Sequence, residues 1–336
     1  FKNDMVNLNK EINWKPKSTG TGRFGNWLEN ANDWNLSRSR FWGIPIPIWR
    51  SKDKKDVLCI GSVEELQKEI AHSVQMGNMD HNPLEKFTAG DFSKNNYAFF
   101  DLHKSHVDQI VLSSKDGKAL FREKDLIDVW FDSGVTHSTV LEKRFSDDVI
   151  ADLYLEGSDQ HRGWFQSSLL TSIAMKGRPP YKAVLTHGFV VDENGRKQSK
   201  SLGNVVSPQK VWDNLGADIL RLWVASTDFR SEMVASDEIL KRVSDQYRRI
   251  RNTFRFIMGN LNDFDEKSNN VNKNDLVEID KWIISEAIKL HEEVQKLNDN
   301  YAYHHVIQKI HNFCVHELGG VYLDIIKDRM YVTKSN

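Results

Sequence analysis

The stretch that most constrains the fold runs from residue 151 to residue 191. An apolar run at 151–155 is followed by a helical pattern from about 160 to 175, and then by a second apolar run at 183–191. Phe165, Leu169 and Ile173 recur at four-residue steps and so share one helical stripe. Gly177, Pro179 and Pro180 stop that helix. Strands that are apolar nearly throughout are buried on both faces, and two of them joined by a helix form a parallel, right-handed crossover. A further run, 126–131, ends at Asp132, Ser133 and Gly134 and reads as another strand. Ligands of open parallel sheets gather at the carboxyl ends of the strands. The loops 131–134, 156–164 and 187–201 are therefore the expected site.

The last of these loops begins with a tight turn at Asn194 and Gly195, residue types that tolerate positive φ angles. Lys197, Ser199, Lys200 and Ser201 follow. Two lysines, each beside a serine, combine ammonium charge with neutral hydroxyl hydrogen bonds, a pairing suited to polyphosphate. Taken alone, such a loop reads more simply as solvated basic surface. Its position after a buried parallel strand makes it a candidate anion clamp.

The rest of the chain supplies the surroundings. Residues 1–35 are polar and read as a linker with a short helix around 23–32. Pro45 and Pro47 lack amide donors, so 36–49 is extended but not an ordinary central strand. Arg38 and Arg40 share one face of it, where they meet phosphate or, more commonly, carboxylates. Ser62 and Glu65 form a capping box for a helix to about Ser73, and 107–112 pairs with 119–121 as a hairpin. Farther on, Ser207 and Pro208 read as an N-cap with proline at the first helical position, and a helix over 219–225 follows Gly216. From Ser236 the pattern is helical. Ile239, Val243, Tyr247, Ile250, Phe254, Ile257 and Leu261 line one face, while Arg248, Arg251 and Arg255 project from the other. Two more amphipathic helices, over 282–297 and 306–326, suggest an antiparallel bundle. The arginine face is either solvated surface or a track for RNA phosphates.

Totals exclude several classes. At 336 residues the chain holds about two domains. With 46 Lys and Arg against 47 Asp and Glu, any nucleic-acid site must be a local patch. Two cysteines, Cys59 and Cys314, make no disulfide framework, which fits a reducing, cytoplasmic setting. The histidines near Cys314 lack converging partners, so no protein-bound metal is expected. No apolar run reaches the roughly 18 residues of a membrane span, and none reads as a signal peptide.

Side by side, these motifs resemble one family. Lys-Gln-Ser-Lys-Ser at 197–201 is similar to the Lys-Met-Ser-Lys-Ser signature of class I aminoacyl-tRNA synthetases. Asp-Val-Trp-Phe-Asp-Ser-Gly at 128–134 and Gly-Ser-Asp-Gln-His-Arg-Gly-Trp-Phe at 157–165 resemble the bacterial-type isoleucyl-tRNA synthetases. So do the Ser-Arg-Ser-Arg-Phe-Trp-Gly segment at 37–43, Gly-Ala-Asp-Ile-Leu-Arg-Leu-Trp at 216–223 and Tyr-Arg-Arg-Ile-Arg-Asn-Thr at 247–253.

The resemblance implies an α/β fold: the second half of a Rossmann-type parallel sheet with a small α+β insertion, followed by an all-α helical bundle. Residues 1–49 would return into the catalytic domain, 50–124 form the insertion, and 125–206 the catalytic half. Residues 207–235 would be a helical junction and 236–336 part of an anticodon-binding bundle. The implied reaction joins isoleucine and ATP to isoleucyl-adenylate, then transfers the amino acid to tRNA(Ile), with Mg²⁺ assisting and a monomer as the acting species. Lys197 and Lys200 would stabilise the departing pyrophosphate. Glu156, Gly157, Asp159, His187 and Ser199 would contact ATP or adenylate, Gln160 the amino group, and Trp130 and Trp164 the aliphatic side chain. Arg248, Arg251 and Arg255 would meet tRNA.

Gln198 departs from the family's Met. The family's His-Ile-Gly-His motif and editing insertion would precede Phe1, and its zinc-binding end would follow the bundle. The resemblance thus implies a fragment with part of the active site, inactive alone. Valyl-tRNA synthetase, or a non-catalytic tRNA-binding derivative, are the competing readings.

Overall fold

The computed structural model describes residues 1–332. It divides into two compact units, residues 1–154 with 159–185, and residues 155–158 with 186 onward.

In the first unit the expected crossover is present. The helix Trp164–Lys176 connects the strands Tyr154–Gly157 and Ala183–His187, which are neighbours in one sheet. Phe165 and Leu169 are fully buried and Ile173 nearly so. Gly177 ends the helix in the left-handed conformation, φ 66°, with its N–H on the Ile173 carbonyl at 3.0 Å.

The short helix expected around 23–32 is present as Gly25–Glu29, but the residues before it are not a linker. The helix Lys2–Asn9 leads into the strand Asn13–Lys15, which pairs in parallel with Ala183–His187, Asn13 opposite Ala183 and Lys15 opposite Leu185. Trp14 sits in the core with Phe24, Leu28, Tyr154 and Phe165. Its Nε1 donates to Asn9 Oδ1 at 3.0 Å, and Asn9 Nδ2 donates to the Gly20 carbonyl at 2.9 Å. One buried indole and one buried amide organise a segment whose polar composition resembles a loop.

The apolar run 126–131 is not a strand of the parallel sheet. Only Leu126–Ile127 is extended, and it pairs antiparallel with Ser37–Arg38. Asp128 then caps a helix, Val129–Gly134, by accepting from the Trp130 N–H at 3.1 Å. The run 183–191 is likewise interrupted. Its strand ends at His187, and Val190–Val191 pairs in parallel with Met233–Val234 instead.

Between these segments lies a four-stranded antiparallel sheet in the order Val57–Cys59, Ile48–Ser51, Ala119–Arg122, Val111–Ser113. The helix Val63–Gln75 packs on it through Leu66 and Ile70. Ser62 Oγ accepts from the Glu65 N–H as anticipated, but Glu65 reaches one residue farther back and accepts from the Gly61 N–H at 2.6 Å. The hairpin strand starts at Val111 because Lys104–Val107 is helical.

The second unit is mainly helical. Pro208–Leu215 and Ala217–Ser226 pack with the long helix Asp237–Gly259 around Val211, Ile219, Trp223, Leu240 and Val243. Ser207 occupies the N-cap position, but its hydroxyl makes no capping bond. The apolar stripe of the long helix is buried only in its first half. Phe254 is 56% exposed, and Leu261 lies beyond the helix end. Glu278–Asp299 and Tyr303–Asn312 follow, the latter running into the wider-turned Phe313–Tyr322.

Candidate active site

In the first unit the tryptophans predicted to hold an amino-acid side chain come from two helices that touch. Trp130 lies on Val129–Gly134, and Trp164 opens Trp164–Lys176. Thr171 Oγ1 donates to the Gly134 carbonyl at 2.9 Å, and Trp164 Nε1 donates to the Ser133 carbonyl at 2.9 Å. Trp164 also stacks on Tyr154, centroids 4.0 Å apart and planes 12° apart. Its ring is therefore held on one face and by its polar edge. Trp130 is freer, at 41% exposed. A cavity of 270 Å³ opens beside it, lined among others by Trp34, Trp130, Arg162, Gly163 and Ser167.

Two residues outside the predicted set make this arrangement possible. Asp128, almost wholly buried, accepts from Trp34 Nε1 at 3.0 Å, pairs with Arg38, and caps the Trp130 helix. Arg38 thus takes the commoner of its two expected roles. Gly163 leaves space that the Gln160 and Trp130 side chains fill. A Cβ there would lie 2.6 Å from Gln160 Oε1 and 2.8 Å from the Trp130 ring. Burial and the Asp128 charge together push the Asp132 carboxyl above its ordinary range.

Gln160 joins this group. Its Oε1 accepts from the Trp164 N–H at 3.0 Å, and its Nε2 donates to Asp159 Oδ2 at 2.9 Å. A carbonyl oxygen has two lone pairs, so Oε1 keeps one for a further donor.

In the second unit the lysine loop is built on a hairpin. Asp192 N–H donates to the Arg196 carbonyl, Gly195 N–H donates to the Asp192 carbonyl, and Gln198 N–H donates to the Val190 carbonyl. Only Gly195 has positive φ, 73°, so the connection is a three-residue loop with one left-handed residue. The tight turn expected at Asn194 and Gly195 is present, closed by the Gly195 N–H on the Asp192 carbonyl, with Gly195 but not Asn194 at positive φ.

Asp192 shapes this turn. Its Oδ1 accepts from the Asn194 and Arg196 N–H groups at 3.0 and 2.9 Å, and its Oδ2 accepts from Asn204 Nδ2 at 2.9 Å. The Asn204 amide, these backbone N–H groups and the Arg196 charge together lower the Asp192 pKa to about 2. Folding favours the ionised form, so that stabilisation is present above the ordinary value of 3.8 and disappears as pH falls through about 2.

Lys197 and Lys200 are both exposed. Lys197 Nζ lies 3.7 Å from the centroid of the Phe189 ring, an attraction between cation and aromatic face. Lys200 opens the single turn Lys200–Leu202 and makes no ion pair among the described residues. The serines are less free than expected. Ser199 Oγ accepts from the Leu202 N–H at 3.3 Å and lies 3.1 Å from Ser201 Oγ. Gln198 Oε1 accepts from the Val206 N–H at 3.1 Å, while its Nε2 is buried without a partner.

The remaining predicted residues fall as follows. Glu156 is exposed and Gly157 buried on the same strand, and His187 Nδ1 lies 2.8 Å from the Gly188 carbonyl. Arg248, Arg251 and Arg255 are exposed, and their three- and four-residue spacing puts them on one helix face. Arg248 already pairs with Asp245. Asp128 is a residue type suited to capping a helix, but its apolar flanks at 126–131 read as a strand and hid that role. Gly163, Asp192 and Asn204 carried no signal, because their roles depend on contacts the local sequence does not display.

The model of the tRNA synthetases class I (I, L, M and V) matches residues 1–237, well over half of the chain. The chain belongs to this family. Residues 280–336 match a second family, the anticodon-binding domain of tRNA ligase. The isoleucine–tRNA ligase of Pseudoalteromonas translucida (strain TAC 125) is 47% identical over 336 residues, covering 100% of this chain and 33% of that protein. The isoleucine–tRNA ligase of Marinomonas sp. (strain MWYL1) is 48% identical over 325 residues, covering 97% and 32%. The chain thus spans about a third of the length of these curated relatives. The Agrobacterium radiobacter K84 agnB2 LeuRS, solved as a ternary complex with tRNA and LeuAMS, superposes with a TM-score of 0.62 at 19% identity, covering 87% of this chain and 36% of that one. At that identity the likeness is one of fold. For this class I synthetase chain, the α/β catalytic part followed by a helical part is the family's architecture.

Proposed function

We propose that the full-length protein activates isoleucine with ATP and transfers it to tRNA(Ile), in the cytoplasm, where translation occurs. The observation that carries this reading is the 47% identity to an isoleucine–tRNA ligase over every residue of this class I chain. In this reading Trp130 and Trp164 flank the branched aliphatic side chain, which rigid indoles do at low entropic cost. Gln160 Oε1 offers its remaining lone pair to the substrate ammonium. Glu156, Gly157, Asp159, His187 and Ser199 contact ATP or adenylate.

The substrate carboxylate attacks the α-phosphorus, and charge accumulates on the departing pyrophosphate. Lys197 and Lys200 stabilise that charge. Among the described residues no group of His, Cys, Asp and Glu converges as a metal site. Mg²⁺, an ion usually held by substrate phosphates with few protein ligands, would enter with ATP and share the pyrophosphate charge.

Isoleucine-dependent ATP–pyrophosphate exchange on the full-length protein tests the reading. Exchange with isoleucine far above that with valine is expected. A valine preference would reassign the substrate, and no exchange with either would leave only an RNA-binding role.

The arginine face is the tRNA contact in this reading. Arg251→Glu with Arg255→Glu is expected to weaken tRNA binding and to lower the slope of log affinity against log salt by roughly 2, about one unit per lost phosphate contact. Pyrophosphate exchange without tRNA should be unchanged, and unaltered tRNA affinity would remove these arginines from the interface.

A further inference from the structure

Asn204 lies outside the residues assigned to ATP or amino acid above, yet it holds the lysine loop at three points. Its Nδ2 donates to Asp192 Oδ2 at 2.9 Å, at the base of the hairpin. Its Oδ1 accepts from the Ser199 N–H at 2.9 Å, one residue before Lys200. The same Nδ2 reaches the Lys197 carbonyl at 3.4 Å. Gln198 adds a parallel tie through Oε1 to the Val206 N–H at 3.1 Å.

We propose that Asn204, held by Asp192, is a positioning residue that latches the lysine loop in the geometry that presents Lys200. This rests on the function proposed above. Asp192 is suited to the task because it is acceptor-only and its other oxygen is already fixed by two backbone N–H groups. The amide of Asn204 can therefore be oriented only one way, with nitrogen toward Asp192 and oxygen toward Ser199. That polarity ties Asn204, which follows Lys200, to the backbone at Ser199 and Lys197, which precede it. The loop is otherwise lightly tied, since Lys200, Ser201, Leu202 and Gly203 are all exposed.

The polarity supplies the test. Asn204→Asp sets two carboxylates against each other and should open the latch. Asp192→Asn alone leaves two amides with mismatched donors. Combining Asp192→Asn with Asn204→Asp restores the two short contacts: the new amide accepts the two backbone N–H groups with its oxygen and donates with its nitrogen, while the new carboxylate accepts from it and from the Ser199 N–H. Only the longer contacts to the Lys197 carbonyl and Arg196 Nε are lost.

In the full-length protein, Asn204→Asp is expected to lower kcat for isoleucine-dependent pyrophosphate exchange by about 10- to 100-fold, the scale of a broken charged hydrogen bond. The KM for isoleucine should stay within about 3-fold, and the double variant should return to within about 3-fold of wild type. Amide hydrogen exchange at Ser199 should lose protection in Asn204→Asp and regain it in the double variant. An unchanged kcat in Asn204→Asp, or no recovery in the double variant, overturns the latch. If the wild type shows no exchange activity, the proposed function fails, and Ser199 protection alone then decides the latch.

Discussion

Lys200→Ala in the full-length protein is expected to lower isoleucine-dependent ATP–pyrophosphate exchange by about 10²- to 10³-fold, the usual cost of removing one preorganised charge-stabilising donor. Isoleucine affinity should be nearly unchanged. The difference follows from where charge develops. Pyrophosphate gains negative charge only as the α-phosphorus bond breaks, so a group that meets that charge acts on kcat more than on ground-state binding. Lys200 suits this role because it is exposed and makes no ion pair among the described residues. No protein carboxylate has to release it before it meets phosphate. Lys197 differs, since its ammonium rests on the Phe189 ring. Equal losses in exchange rate and isoleucine affinity would place Lys200 outside the reacting centre.

Gly188→Ala is expected to have the largest effect on stability, about 3 kcal/mol, at the upper end of the range for overpacking. The obstacle is space, not conformation. A Cβ at Gly188 would lie 2.1 Å from the Ser231 carbonyl oxygen, 2.5 Å from its carbon and 2.8 Å from the Glu232 nitrogen. All three are backbone atoms and cannot rotate aside. The two segments are also joined on either side of the contact. Gly188 N–H donates to the Phe229 carbonyl, and Met233 N–H donates to the Phe189 carbonyl, each at 2.8 Å. Separating them would strain the pairing of Val190–Val191 with Met233–Val234 that supports the lysine loop.

Gly195→Ala is the control. It has φ 73° but nothing within 4 Å of the added atom, so only the left-handed backbone cost of about 1 kcal/mol applies. Urea unfolding of the two variants should therefore show a markedly larger loss of midpoint for Gly188→Ala. Equal losses would mean that the Ser231 segment yields and that the close approach is not structural.

Chemistry carried by residue type was the more legible part of this protein. The crossover helix was readable because Phe165, Leu169 and Ile173 repeat with the helical period. The lysine loop was readable because its residues are contiguous. An apolar run alone is a poor guide to a strand. At 126–131 a single buried aspartate, Asp128, turns the chain into a helix that carries Trp130. At 183–191 the backbone passing over Gly188 divides one apolar run between two pairings. At 13–15 a strand of only three residues is too short to show a period, and it exists because Ala183–His187 offers its edge.

By itself the sequence determined the family, the crossover around Trp164–Lys176, and the identity of the lysines, the tryptophans and the arginine face. These depend on local periodicity and on residues adjacent along the chain. Tertiary structure alone decided that Asn13–Lys15 joins the sheet, that Gly188 must lack a side chain, and that Asp192 and Asn204 hold the lysine loop. Each of these is a contact between segments separated in sequence, at distances where one carbon atom or one hydrogen-bond polarity changes the outcome. A pattern read along the chain records which groups are present, but not which of them meet.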